Sequence, residues 1–192
     1  MLVFLIGLIL FLGVHSVRIV ADDWRSARIA QWGEGAWKGL YSVVSIIGLV
    51  LLVWGYGQTR TAPIDLWQPP MFTRHLASLL TLPAFILLAA AYVPGTRIRA
   101  RLGHPMVLGV KLWALAHLLA NGRLADLLLF GGFLLWAVAD FRAARARDRR
   151  DGVVRTAGPA SRDAIAVLVG IGAWAAFAFV LHGSLIGVMP FG

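Results

Sequence analysis

HPMVLGVKLWALAHLLANGRLADLLLFGGFLLWAVADF, residues 104–141, decides the fold of this chain. Two apolar runs, 105–121 and 123–141, are joined only through Asn121-Gly122, a residue pair suited to reversing the backbone. Each run approaches the ~20 residues that cross a bilayer core, so the spacing predicts a tight helical hairpin in the membrane. Four more apolar stretches flank it, at 2–20, 37–57, 75–93 and 164–188. The 192 residues are 59% hydrophobic, well above the roughly 45–50% of soluble domains. The reading is an all-α polytopic membrane bundle of about six transmembrane helices. Residues 1–192 are expected to form one integral membrane domain.

Charge orients the bundle. The net charge is +9, but the cations are not spread evenly. Fourteen of the eighteen Lys and Arg fall in the loops after the first, third and fifth spans, from Arg18 to Lys38, Arg97 to Arg101 and Arg142 to Arg162. Arg60, Arg74 and Arg123 lie on the opposite side, and Lys111 lies within a span. That asymmetry is the positive-inside pattern, which places both termini in the periplasm or outside. The basic run at 142–150 is therefore a topology signal that also attracts anionic lipid, and nucleic acid is not an expected partner. The expected location is a bacterial inner membrane. The first segment has no basic flank and no A-x-A site, so it is expected to stay as the first span.

The loops are too short for a soluble domain. Segment 21–36 reads as a short interfacial helix carrying Trp24 and Trp32, and 58–74 as an irregular outer loop with three prolines. Residues 142–163 read as a solvated connector. Gly35-x-x-x-Gly39 and Gly183-x-x-x-Gly187 permit close helix contact, and Pro83 is expected to kink its span or free a carbonyl. The chain has no cysteine, which excludes disulfides, thiolate ligands and covalent haem attachment. No phosphate-binding glycine loop, HExxH or GxSxG is present, so ATP-driven and hydrolytic chemistry have no support.

Chemistry then falls to the five histidines, His15, His75, His104, His117 and His182, in a chain with only nine carboxylates. Ionisable groups deep in a span are costly and usually face a site, and neutral imidazole binds haem iron and most transition metals. His104 and His117 stand roughly 140° apart around one helix and about 20 Å apart along it, so they cannot share a metal. His104 precedes Pro105 at a helix start, where it serves either as a capping, interfacial residue or as a ligand. His117 is the better candidate for a buried ligand. Lys111 either snorkels to the inner surface or offers a cation to an anionic group such as a haem propionate. The eight tryptophans suit packing, and equally a flat hydrophobic cofactor.

Gly13-Val14-His15-Ser16 closing the first span, Gly103-His104-Pro105-Met106 opening the fourth, Leu-Ala-His117, and Leu-Ile-Gly-Val at 185–188 resemble the NnrU family of bacterial membrane proteins. The resemblance runs over nearly the whole chain. It implies a link to nitrite and nitric-oxide metabolism, and so to denitrification. The family is similar to the 15-cis-zeta-carotene isomerases, which hold b-type haem on two histidines and isomerise a polyene double bond. Carried over, those two ligands are His15 and His117, the metal pair this resemblance implies. Ala114 stands where the isomerases carry a cysteine, so ligand switching through that thiolate is absent here. With the first helix running inward and the fourth outward, His15 and His117 differ in depth by about 10 Å at ~1.5 Å per residue. That leaves His182 as a rival ligand, with His75 also toward the outer side.

The leading expectation is thus a membrane protein that binds haem b through bis-histidine iron, or through one histidine and an open site. It would serve redox, nitrogen-oxide-linked or isomerase chemistry on a hydrophobic small molecule. His15, His117, Lys111, His104 and His182 are the candidate cofactor-binding residues, with no catalytic residue assigned. The alternatives are a non-catalytic membrane assembly or regulatory protein, and a membrane methyltransferase like the isoprenylcysteine carboxyl methyltransferases, which share the His-Pro.

Overall fold

Runs of Leu, Ala, Val and Ile satisfy their backbone groups internally as helices, the economical solution in a lipid environment. The computed structural model describes residues 1–191; Gly192, the last residue of the expected domain, lies outside the described residues. Its helices are α1 (Leu2–Val20), α2 (Asp22–Trp32), α3 (Glu34–Thr59), α4 (Phe72–Tyr92), α5 (Arg97–Leu102), α6 (Pro105–Ala120), α7 (Leu124–Arg150), α8 (Ala160–Ala176) and α9 (His182–Ile186). A π-helical turn, Phe177–Leu181, joins α8 to α9. Five helices are long and apolar enough to cross a membrane: α1, α3, α4, α7 and the continuous Ala160–Ile186 rod. The remaining expected span, α6, has 16 residues. At ~1.5 Å per residue it is about 24 Å long, short of the ~30 Å hydrocarbon core.

Neighbouring helices pack in the order α3, α1, α7, α6, α4, α8. The core lies where the first three meet, built on Phe4 and Leu8 of α1, Leu52 of α3, and Ala125, Leu129 and Phe130 of α7. Ile9, Ile46, Val53, Leu79, Leu135 and Leu168 point outward and are exposed, which is the expected state of a lipid-facing surface. This is a membrane protein of apolar helices.

Without a hydrophobic drive between helices in lipid, close backbone approach supplies much of their association. The glycines that allow it differ from the expected pairs. Gly35 and Gly39 face open space, and a Cβ on Gly183 would meet only the Met189 side chain. The close seam is α1 on α3, where Gly7 abuts the Leu52 backbone and Gly55 the Phe4 backbone. A Cβ on Gly48 would stand 2.8 Å from the Phe11 nitrogen. The glycines of this seam belong to two different helices and carry no Gly-x-x-x-Gly spacing, so no sequence motif marks them.

The hairpin at 121–123 forms as expected. The 58–74 loop folds over it, with Leu66 N–H donating to the Gly122 carbonyl at 2.8 Å and Leu124 N–H to the Ile64 carbonyl at 2.9 Å. Helix α2 occupies the expected interfacial segment, and α4 runs through Pro83 without a break. Residues 142–163 are the clear correction. Helix α7 continues to Arg150, because Ala and Arg are strong helix formers and Ala144 is buried. The connector proper is only the stretch between α7 and α8.

Candidate functional site

The continuation of α7 builds one end of the molecule. There Arg147 donates to the Arg18 carbonyl at the end of α1 at 3.0 Å and pairs with Asp140 at 3.9 Å. Between this overhang and the ends of α1 and α3 lies a cavity of about 520 Å³, inside the roughly 300–1,000 Å³ range of small-molecule and cofactor sites. His15 and His104 both line it. Trp37, Tyr41 and Trp136 give it aromatic walls, and Arg18, Arg25, Lys38 and Arg147 give it cations.

His15 sits one turn beyond Phe11 on α1, and its Nδ1–H donates to the Phe11 carbonyl at 2.7 Å. A ring nitrogen fixed by a backbone carbonyl leaves the other, Nε2, as the free ligand atom. The Tyr41 and Trp136 rings approach the imidazole edge-on, at 5.3 and 6.1 Å between centroids. The indole N–H of Trp136 is buried with no hydrogen-bond partner. Arg25 lies 5.9 Å over the Trp37 ring.

His104 is held differently. Gly103 takes a φ of 80°, a left-handed turn that glycine tolerates best, and it delivers His104 to the N-cap of α6 with Pro105 first in the helix. The expected capping bond is not made. Instead Nε2 meets the Asp148 carboxylate at 2.9 Å. Arg155 grips the same carboxylate with two hydrogen bonds, 2.8 and 2.9 Å long. Those bonds raise the guanidinium pKa further above its ordinary value, against the partial burial of the group.

His117 lies outside this cavity. Its Nδ1–H donates to the Trp113 carbonyl at 2.8 Å, the same arrangement one turn back that fixes His15, and its ring stacks on Phe130 at 4.6 Å. A file of aromatic rings separates the two histidines. Phe11 stands 4.3 Å from His15 and 5.8 Å from Phe133, which stands 5.5 Å from Trp113, itself 5.1 Å from His117. His182 directs Nδ1 to the Val188 carbonyl at 2.6 Å, and His75 is exposed in the first turn of α4. Lys111 places Nζ 4.0 Å over the Phe141 ring and does not line the cavity. No cluster of three or more potential metal ligands occurs among the described residues.

The model of the NnrU protein family matches residues 3–190. The chain belongs to the NnrU family. No curated protein and no solved structure matches it.

For this NnrU-family chain, sequence reasoning found both cavity histidines but missed their partners. Asp148 and Arg155 fell in the stretch read as a solvated connector, and only the continuation of α7 brings them to His104. Trp136 was legible as a mid-span tryptophan, whereas Tyr41 and Asp140 gave no signal beyond their residue type. A second polar centre was missed entirely. Asp126, in the first turn of α7, is only 4% exposed and accepts a hydrogen bond from the Tyr56 hydroxyl of α3. An aspartate four residues after Gly122, at the start of an apolar run, was the available sign, since a buried carboxylate in a span needs a donor.

Proposed function

We propose that this NnrU-family membrane protein binds b-type haem in the cavity at its basic end, where His15 would hold the iron. The observation that carries the reading is His15 itself, with Nδ1 fixed to the Phe11 carbonyl and Nε2 free, in a cavity of cofactor size. The surroundings suit the group. Trp37, Tyr41 and Trp136 offer flat apolar walls, the buried Trp136 N–H lacks an acceptor, and Arg25 over Trp37 offers a cation for a propionate. Haem supplies redox or polyene isomerase chemistry when bound, and the chain's part is to hold, orient and shield it. The His15 imidazole would hold the iron, and Trp37, Tyr41 and Trp136 would flank the ring.

His117 shares the geometry of His15 at Nδ1, and so is chemically equipped to be the second ligand. The file of Phe11, Phe133 and Trp113 stands between them, so His15 alone is the better-supported ligand. The positive-inside pattern assigns the basic end to the cytoplasm, both termini to the opposite side, and the protein to a bacterial inner membrane. Haem content, measured as the pyridine haemochrome of detergent-purified protein made with ample haem, tests the reading. Haem close to one per chain is expected for wild type and for His117→Ala, with little in His15→Ala. Haem loss in both variants would establish the bis-histidine form, and a haem-free wild type would leave a non-catalytic membrane protein as the reading.

A further inference from the structure

Beyond a ligand, the cavity contains an oriented base. The Asp148 carboxylate holds one ring nitrogen of His104, and Arg155 holds the carboxylate on both oxygens. Arg155 Nη2 also stands 3.5 Å from that ring nitrogen, but the 2.9 Å carboxylate contact is the closer one. A carboxylate can only accept, which places the proton on Nε2 and leaves a basic lone pair on Nδ1. Nδ1 has no hydrogen-bond partner among the described residues. The guanidinium keeps Asp148 ionised, so the proton stays with the imidazole. We propose that His104 is the acid–base group of the His15 cavity. It takes up a proton from water at the basic end when the cavity gains negative charge, and returns the proton when that charge leaves. The proposal rests on the haem reading above.

The charge balance is simple. When a one-electron donor such as dithionite delivers an electron to the cavity, His104 gains one proton at Nδ1, and the net charge of the site is unchanged. No carbon bond forms or breaks. Compensation matters because an added charge in a partly dry cavity costs several times more than in water. The other charges nearby are largely spoken for. Arg147 pairs with Asp140 at 3.9 Å, Lys38 with Glu34 at 2.9 Å, and Arg18 with Asp22 at 3.7 Å. Arg145 reaches the Gly103 side of His104, Arg25 lies over Trp37, and Asp151 pairs with Arg150. His15 has Nδ1 committed to Phe11, and Nε2 reserved for the ligand in the reading above. Among the described residues His104 is the other imidazole that lines the cavity, and its Nδ1 has no hydrogen-bond partner.

The test is the midpoint potential of the haem-loaded protein against pH, in wild type, His104→Gln and Asp148→Asn. In wild type the potential is expected to fall as pH rises, because reduction takes up a proton. His104→Gln is expected to flatten that slope while leaving the Soret band in place. Asp148→Asn keeps the imidazole but removes the carboxylate that orients it, so the slope is expected to weaken toward that of His104→Gln. A merely structural clamp would change thermal stability without changing the slope. Nitrogen-15 NMR of histidine-labelled, haem-free protein at alkaline pH checks the tautomer, with the His104 proton expected on Nε2. A slope unaltered in both variants, or a proton on Nδ1, overturns the His104 proposal alone. A protein that takes up no haem overturns the cavity reading and this proposal together.

Discussion

At the scale of single residues, His15, His117 and Asp126 each find a partner a turn or a helix away, whereas the buried Trp136 N–H has none among the described residues. His15 and His117 use the backbone carbonyl one turn back, a bond any helix can supply. Asp126 has no such local option and depends on Tyr56 across the α3–α7 contact. Tyr56→Phe is therefore expected to cost about 1–3 kcal/mol, the typical penalty for stranding a buried polar group. Adding Asp126→Asn to it should recover part of that loss, because a neutral amide is cheaper to bury than a carboxylate. Unfolding in mixed micelles, read by tryptophan fluorescence, measures both. Equal stability of Tyr56→Phe and wild type would show that water satisfies Asp126. Lys111 illustrates the limit of reading one side chain from sequence. Its depth in the helix was legible, whereas its seat on the Phe141 ring depends on how α6 meets α7.

At the scale of elements, hydropathy located the helices because apolar length is a direct physical requirement of a bilayer. Ends were harder to place. The apolar run of α7 ends near Phe141, but alanine and arginine carry the helix on to Arg150, and this extension builds one wall of the cavity. The π-helical turn at Phe177–Leu181 is likewise invisible to a hydropathy window, which sees one uninterrupted apolar run. Helix contacts follow glycines that sit opposite another backbone, irrespective of motif spacing. Gly55→Leu, which would push against the Phe4 backbone, is expected to destabilise the α1–α3 pair by about 1–3 kcal/mol or more. Gly39→Ala meets open space, and should instead stabilise α3 by roughly 0.5–1 kcal/mol through helix propensity. The same unfolding assay reads both, and equal effects would mean that the seam is not where α1 and α3 are held.

At the scale of the whole molecule, the six apolar helices and the gathering of arginines at one end were legible in the sequence. The cavity was not, because it exists only where α1, α3 and the overhang of α7 converge. The histidines were each visible as exceptions in apolar sequence, but their grouping required the packing order. That order places His15 with His104 on one cavity and sets His117 behind a file of aromatic rings. The reduced-minus-oxidised visible spectrum of the purified protein tells whether the cavity holds haem on His15. A Soret band and a reduced-state change are expected in wild type, both retained in His117→Ala and lost in His15→Ala. A featureless wild-type spectrum at full haem supply, or a Soret band that survives His15→Ala unchanged, would contradict haem held on His15.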